Sequence, residues 1–192
     1  MTKTREAFEG GVAVITGSGS GIGEGTARHA ASLGMKVVVS DVAEDRIARV
    51  AADINKDGGK AIAVPADVRD AKALDRLADA AEKAFGDVRL LINNAGIETL
   101  GYSWELSAEA WEKIIGININ GVVQGVRAFA PRMIAANKPA YIANVSSVGG
   151  VGQMPAQGAY VMSKHAVLSF SECLSLEMQA VGAPIHVAAI LP

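Results

Sequence analysis

Apolar residues in this chain come in short runs rich in valine and isoleucine. Each run but the last is followed by a longer stretch in which apolar residues recur every three to four positions. The runs cover residues 12–16, 36–40, 60–65, 88–93, 141–146 and 185–191. A short continuous apolar run bounded by turn residues reads as a strand buried on both faces. The intervening stretches, 21–33, 44–56, 71–85, 107–136 and 156–180, carry the helical period. Punctuation agrees. Gly34, the Gly58-Gly59 pair and Gly86 stop the first three helices. Ser107 stands as N-cap of the fourth, with Glu109 offering a carboxylate to its positive end. Strict alternation predicts an α/β fold: a doubly wound parallel sheet, helices on both faces, three layers in all, with right-handed crossovers. No repeat, low-complexity stretch or linker divides the 192 residues, so a single domain over 1–192 is expected.

Composition narrows the function classes. A formal net charge of −2 gives no basis for a nucleic-acid partner or an anionic membrane surface. Cys173 is the only cysteine, which excludes an intrachain disulfide and points to a reducing, cytoplasmic setting. Cys173 is expected to be a small buried apolar residue. The opening residues 1–6 lack the apolar run of a secretory signal, and no stretch approaches the roughly 20 apolar residues of a membrane helix. His29, His165 and His186 are scattered, so no metal site is expected. Trp104 and Trp111 are read as core or interface residues.

The chemistry-bearing residues fall at the strand ends. Gly17, Gly21 and Gly23 lie between the first strand and the first helix. Gly17 would allow a tight turn, Gly21 a close approach of backbone N–H groups to phosphates, and Gly23 close packing of helix on strand. The helix N-terminus would then face a pyrophosphate, with Ser18 and Ser20 as added hydroxyl donors. Asp41 ends the second strand, where a carboxylate accepts from both hydroxyls of an adenosine ribose. It would repel a 2′-phosphate, and no Arg or Lys follows immediately, which favours NAD over NADP. Asp67 and Val68 end the third strand, placed for an adenine amino group and the adenine ring. Asn93, Asn94, Ala95 and Gly96 end the fourth, small enough to admit a ribose and able to tie neighbouring strand ends. Downstream, Tyr160 and Lys164 are one helical turn apart on one helix face, with Ser147 upstream. An ammonium about 4 Å from a phenolate stabilises it by up to roughly 4 kcal/mol at an effective dielectric near 20, before any burial cost. That pairing suits a tyrosine acting as general base in alcohol oxidation and general acid in the reverse reaction.

These motifs, in this order, resemble the short-chain dehydrogenase/reductase family. The turn 16–23 matches TGxxxGxG, residues 93–96 match NNAG, 118–121 match NxxG, and 160–164 match YxxxK. The resemblance implies a catalytic tetrad of Asn118, Ser147, Tyr160 and Lys164, with Ser146 as the less favoured serine. Asn118 would interrupt its long helix and position a water leading from Lys164 to solvent. The resemblance also places Ser20, Ile22, Val42, Asn94, Ala95 and Pro192, with Tyr160 and Lys164, along a bound NAD. It implies the strand order 3-2-1-4-5-6, and a homodimer or homotetramer paired through the two long helices. The expected activity is NAD-dependent interconversion of a secondary alcohol and a ketone, in a style resembling members that take bulky hydrophobic alcohols. Ile97, Glu98, Tyr102, Val148, Gly149, Gly150, Gln153 and Met154 would wall the substrate. An NADPH-dependent carbonyl reductase and a non-catalytic dinucleotide-binding module are the alternatives. Family members continue beyond the sixth strand, whereas Pro192 is last here. The resemblance therefore implies a shortened member, lacking the last helix and strand, with an open substrate pocket and reduced turnover.

Overall fold

The strands form where valine and isoleucine run together: β1 Val12–Thr16, β2 Lys36–Ser40, β3 Lys60–Ala63, β4 Val88–Asn93, β5 Ala140–Val145 and β6 Ile185–Ile190. This is a computed structural model, and it describes residues 8–192; the polar opening segment falls outside the described residues. The strands pair in parallel as one six-stranded sheet in the order β3-β2-β1-β4-β5-β6, as the sequence implied. The helices are α1 Gly21–Ser32, α2 Glu44–Lys56, α3 Ala71–Phe85, α4 Ala108–Ile115, α5 Gly121–Ala136 and α6 Gly158–Ala180.

β1 is buried along its whole length, and its side chains alternate between two cores. Val12 and Val14 join Leu74 and Leu77 of α3, Phe129 and Met133 of α5, and Leu174 and Met178 of α6. Ala13 and Ile15 join Ala27 and Ala30 of α1 and Ile47, Val50 and Ile54 of α2. A strand with apolar contacts on both faces is what a parallel sheet between two helix layers demands.

Several boundaries differ by a residue or two from the sequence expectation. β3 ends at Ala63, β5 starts at Ala140, β6 ends at Ile190, and α6 begins at Gly158. The expected helix 107–136 is divided: a π-helical turn, Gly116–Asn120, separates α4 from α5. Gly121 explains the position of the break. A Cβ there would stand 2.7 Å from Val68 Cγ2, so only glycine lets the helix press onto the chain leaving β3. The wider turn carries Asn118 inward, where it is 1% exposed. A short 3₁₀ turn, Val148–Gly150, follows β5 and was not foreseen.

Cys173 corrects an expectation: it is exposed. The inward stripe of α6 runs through Ser171, Leu174 and Met178, and Cys173 lies off that stripe. Trp104 is also no core residue, being 81% exposed.

A buried polar chain links the strands to α6. Asn93 Nδ2 donates to Asn144 Oδ1 at 2.9 Å, Asn144 Nδ2 donates to Ser171 Oγ at 3.0 Å, and Ser171 Oγ donates to Val167 O at 2.7 Å. Asn93 Oδ1 has no hydrogen-bond partner and lies against Gly125 of α5. This sets up a contest of signs. Glycine to alanine in an open helix interior gains about 1 kcal/mol from helix propensity. At Gly25 of α1, where an added Cβ meets nothing within 4 Å, that gain should appear. At Gly125 the new methyl would collide with the Asn93 carboxamide, and overpacking costs about 1–3 kcal/mol. Denaturant titration should therefore find Gly25→Ala more stable than wild type and Gly125→Ala less stable; equal stabilisation of both would disprove the close contact.

Candidate active site

The sheet order reverses between β2-β1 and β4, and ligands of open α/β sheets bind at the carboxyl ends of strands beside such a switch point. Here the turn after β1 meets the chain leaving β4. Gly17 has φ +65°, and a Cβ on it would stand 2.7 Å from Ala95 Cα. A Cβ on Gly23 would run into the Gly17 carbonyl and Asn94 Nδ2, so α1 packs directly on the turn. Gly21 adopts φ +55°, a left-handed conformation that favours glycine, with open space beside it. Asn94 Nδ2 donates to Thr16 O at 2.9 Å and Gly17 O at 3.0 Å, and Asn94 N donates to Thr16 Oγ1 at 3.1 Å. The expected tying of strand ends is thus present. Ser20 precedes α1 without capping it through its side chain, so that helix end keeps free N–H groups facing the cleft.

Ser18 departs from expectation. It is fully buried, its hydroxyl donating to Ile15 O at 2.9 Å and accepting from Ser40 N at 2.8 Å. It staples β1 to β2 and has no route to a phosphate.

A cavity of about 660 Å³ runs from this turn across the strand ends. Gly17, Ser20, Ile22, Gly23, Asp41 and Val42 line one part of it. Asp67, Val68, Asn94, Ala95 and Gly96 line the middle. Ser147, Tyr160, Lys164 and Pro192 line the other end. Gly21 and Asn118 do not reach the cavity surface. Asp41 accepts from Gly19 N at 3.2 Å and Ala43 N at 3.1 Å, which aims its carboxylate between the glycine turn and α2. Asp67 is paired with Arg69 at 2.6 Å, and that guanidinium holds its carboxyl below the usual range. Val68 is set by its contact with Gly121.

At the far end, α6 presents Tyr160 and Lys164 on one face. The Lys164 ammonium lies 5.5 Å from the Tyr160 ring centroid and donates to Val145 O at 2.7 Å. Lys164 is 5% exposed, and burial pulls its pKa down from 10.5 to about 8. Ser147 Oγ accepts from Gly149 N at 3.2 Å. A Cβ on Gly149 would sit 3.6 Å from Tyr160 Cε1 and 3.7 Å from Ser147 Oγ, so the phenol ring and the hydroxyl flank one small space. Ser146 is committed elsewhere: its hydroxyl donates to Lys164 O at 2.7 Å. Asn118 also has a full set of partners. Its Oδ1 accepts from Ile97 N at 2.8 Å, and its Nδ2 donates to Ile97 O and Ser163 Oγ, each at 2.9 Å. The side chain clamps the segment after β4 to α6.

Of the expected substrate-wall residues, Ile97 and Glu98 line the cavity, while Tyr102, Val148 and Met154 stand exposed outside it. Tyr102 stacks on Trp104 with centroids 5.1 Å apart. Arg69, Lys113, Ile117 and Val145 also line the cavity and were not foreseen. None belongs to a local motif; the chain crossings bring them in. Among the described residues, no group of three or more His, Cys, Asp or Glu side chains is placed to hold a metal ion.

Residues 11–192 match the family described as short chain dehydrogenase. The chain is 37% identical over 168 residues to the probable oxidoreductase EphD of Mycobacterium tuberculosis, covering 88% of this chain and 28% of that protein. It is 37% identical over 166 residues to the C alpha-dehydrogenase of Sphingobium sp., covering 86% of this chain and 54% of that one. A crystal structure of a short chain dehydrogenase/reductase from Burkholderia phymatum in complex with NAD superposes with TM-score 0.94 at 44% identity, over 96% of this chain and 65% of that one. The chain thus spans about a quarter to two thirds of the length of these relatives.

The burial of Lys164 has a measurable sign. Its folded-state pKa lies below the unfolded value, so the unfolded chain binds more protons between pH 8 and 10.5. This group therefore makes the protein more stable as pH rises through that window, and the full penalty applies below it. The difference is worth up to about 3 kcal/mol, at about 1.4 kcal/mol per tenfold change in proton affinity. Lys164→Met lacks the titration. Measured from about pH 7.5 to 10.5, the stability of wild type relative to Lys164→Met should climb by that order; a flat difference would show that Lys164 ionises as it does in water.

Proposed function

The chain belongs to the short-chain dehydrogenase family, and from that premise we propose that it interconverts a secondary alcohol and a ketone with NAD, using Tyr160 as general acid and base. The observation carrying this reading is the single cavity that joins the glycine turn and Asp41 at one end to Ser147, Tyr160 and Lys164 at the other. A dinucleotide fits the residues present. The turn is a cradle that Cβ atoms on Gly17 and Gly23 would fill, the α1 terminus keeps donors free, and Asp41 offers a carboxylate to ribose hydroxyls. Gly17, Ser20, Gly21, Ile22 and Gly23 would hold the pyrophosphate side. Asp41, Val42, Asp67 and Val68 would hold the adenosine, and Asn94, Ala95, Gly96 and Pro192 the rest.

When bound, the nicotinamide ring supplies the hydride acceptor for oxidation and the donor for reduction. Tyr160 takes the alcohol proton in one direction and returns it in the other. Ser147, whose oxygen accepts a single contact from Gly149, keeps its proton to donate to the reacting oxygen. Lys164 supplies positive charge beside the phenol, and its remaining N–H groups are available to a ribose. Asn118 acts as a positioning residue, because its side chain fixes Ile97 and α6 relative to one another. Ile97 and Ile117, which line the cavity, support a hydrophobic alcohol as substrate.

Among the described residues no helix is long and apolar enough to cross a membrane, and we place the protein in the cytoplasm as one domain carrying both cofactor and catalytic groups. Exposed Val123 and Ile134 on α5 and Met162 and Leu176 on α6 support a homodimer or homotetramer paired through these helices; sedimentation showing monomer alone would refute that assembly.

The decisive experiment separates binding from chemistry. Tyr160→Phe should lower kcat by about 10²–10⁴-fold, the usual worth of a positioned acid–base group. Its dinucleotide affinity, read by calorimetry, should change little. Undiminished turnover would reject Tyr160 as the proton carrier, and absence of oxidoreduction by wild type over a broad alcohol panel would favour a binding module.

A further inference from the structure

We propose that the catalytic end of the cleft reads a second hydrogen-bond donor on its substrate, a hydroxyl or an ammonium set apart from the reacting alcohol, through the carboxylate of Glu98. The proposal rests on the alcohol–ketone reading of the same cavity and names the substrate class within it.

Among the described residues, the carboxylates lining the cavity are Asp41, Asp67 and Glu98. Asp41 accepts from the backbone N–H groups of Gly19 and Ala43, and Asp67 is paired with Arg69. Glu98 is the carboxylate that neither cofactor binding nor hydride transfer uses.

Its place is fixed from two sides. Glu98 stands two residues past Gly96, where an added Cβ would lie 3.5 Å from Lys164 Nζ. Ile97, directly before it, is clamped to the Asn118 carboxamide through its N–H at 2.8 Å and its carbonyl at 2.9 Å. On the other side Gln157 stands at the entry of α6, three residues before Tyr160. Its carbonyl accepts from Val161 N at 2.9 Å, so helical spacing sets its Cβ about 5–6 Å from that of Tyr160. Gln157 Nε2 donates to Glu98 Oε1. Gly101 N donates to Ala156 O at 2.8 Å and ties the same two segments through their backbones.

The carboxylate is half used. Oε1 has its partner in Gln157. Oε2 accepts no hydrogen bond, and Glu98 makes no ion pair among the described residues, although Lys113 and Lys164 line the same cavity. An exposed carboxylate oxygen is hydrated in the free protein, and a ligand that displaces that water has to return its hydrogen bond. An alkyl group cannot. A hydroxyl or an ammonium can, and hydrogen bonds to a charged acceptor are the stronger kind. A substrate carboxylate or phosphate at the same point meets like charge and is rejected. Ile97 and Ile117 receive the carbon frame. The alcohol that fits is therefore apolar in frame, with one further donor and no anion facing Glu98. Gln157 acts as a positioning residue, because its amide fixes one oxygen of Glu98 and leaves the other for the ligand.

The test uses four probes on one ring: cyclohexanol, 1,3-cyclohexanediol, 3-aminocyclohexanol and 3-hydroxycyclohexanecarboxylate, each oxidised with NAD near neutral pH. The diol or the amino alcohol should exceed cyclohexanol by about tenfold or more in kcat/KM, and the carboxylate should trail it. Added salt separates the two donors: an ammonium advantage shrinks and a hydroxyl advantage persists. Glu98→Ala should abolish the donor preference and relieve the handicap of the carboxylate. Glu98→Gln keeps an acceptor without the charge; it should retain part of a diol preference and lose most of an ammonium one. Gln157→Ala should weaken the preference through KM rather than kcat. Each readout is a ratio between probes within one variant, which a general loss of folding leaves unmoved, and circular dichroism reports the fold. Where turnover is slow, saturation-transfer NMR on the NAD-loaded protein reads the same ranking. Equal values for cyclohexanol and both donor probes would overturn the proposal. So would a donor preference that survives Glu98→Ala, or an NAD-loaded protein that neither binds nor oxidises any of the four. Oxidation of alcohols without such preference would leave the dehydrogenase reading standing, whereas failure of wild type to bind NAD would remove both.

Discussion

The Asn94 carboxamide donates its two protons to the carbonyls of Thr16 and Gly17, and its backbone N–H goes to the Thr16 hydroxyl. This knot joins the ends of β1 and β4 at the place where the sheet reverses direction. Without it the carbonyls of Thr16 and Gly17 would lose these donors in a part-buried crevice, a cost of the order of an unmade hydrogen bond. Gly23 approaches to where a methyl would strike both members of the knot, so α1 has one docking position. Gly17 approaches Ala95 in the same way, fixing the chain that leads to Gly96 and Ile97.

The opposite end of the cleft depends on a costlier arrangement. A buried lysine is a poor way to stabilise a protein, because desolvation disfavours its charge. Lys164 is nevertheless held in place by Val145 O, its own carbonyl accepts from Ser146, and Asn118 and Ser163 clamp the helix alongside. The chain from Asn93 through Asn144 to Ser171 anchors the same helix two turns further on. The ammonium itself makes a single hydrogen bond, to Val145 O, while the bonds around it fix the helix that carries it. Structure that stores such cost near an active site has to be stabilised elsewhere, here by two apolar cores that bury β1 completely.

What the sequence made legible follows from the range of the physics involved. The alternation of strands and helices, the glycine turn and the Tyr160/Lys164 pair are local patterns, and backbone geometry converts them into structure with little freedom, whereas the strand order was implied only by the family resemblance. Gly23 could be read because close helix–strand packing requires a missing Cβ at that spacing. The interruption of the long helix at Asn118 came from the family resemblance rather than from any local pattern, and the π turn Gly116–Asn120 lies beside the point where Gly121 meets Val68 across the fold. Ser18 and Ser20 look alike in sequence, yet one is a buried staple and the other faces the cavity. Ser146 and Ser147 both line the cavity, yet the Ser146 hydroxyl is spent on Lys164 O while Ser147 Oγ accepts only from Gly149 N. Cys173 was misjudged because cysteine's general preference for burial says nothing about which side of α6 the residue occupies. In each case identity was insufficient, and a tertiary neighbour decided.

The same distinction separates the two ends of the cavity. The glycine-turn end is specified mainly by backbone atoms and fixed charges, which tolerate few alternatives, so a short motif is enough to identify it. The far end opens onto exposed side chains: Tyr102 stacked on Trp104, with Leu100, Val151 and Met154 nearby in the same segments. These segments are joined through Gly101 N donating to Ala156 O at 2.8 Å, and Ala156 itself sits at φ +61°, a conformation alanine rarely adopts. Such strain persists only when surrounding contacts hold it. A surface made of apolar side chains on a strained turn can change its shape through substitutions that leave the sheet untouched. The fold therefore defines the glycine-turn end of the cavity through its backbone, and leaves the shape of the far end to side chains that no motif encodes.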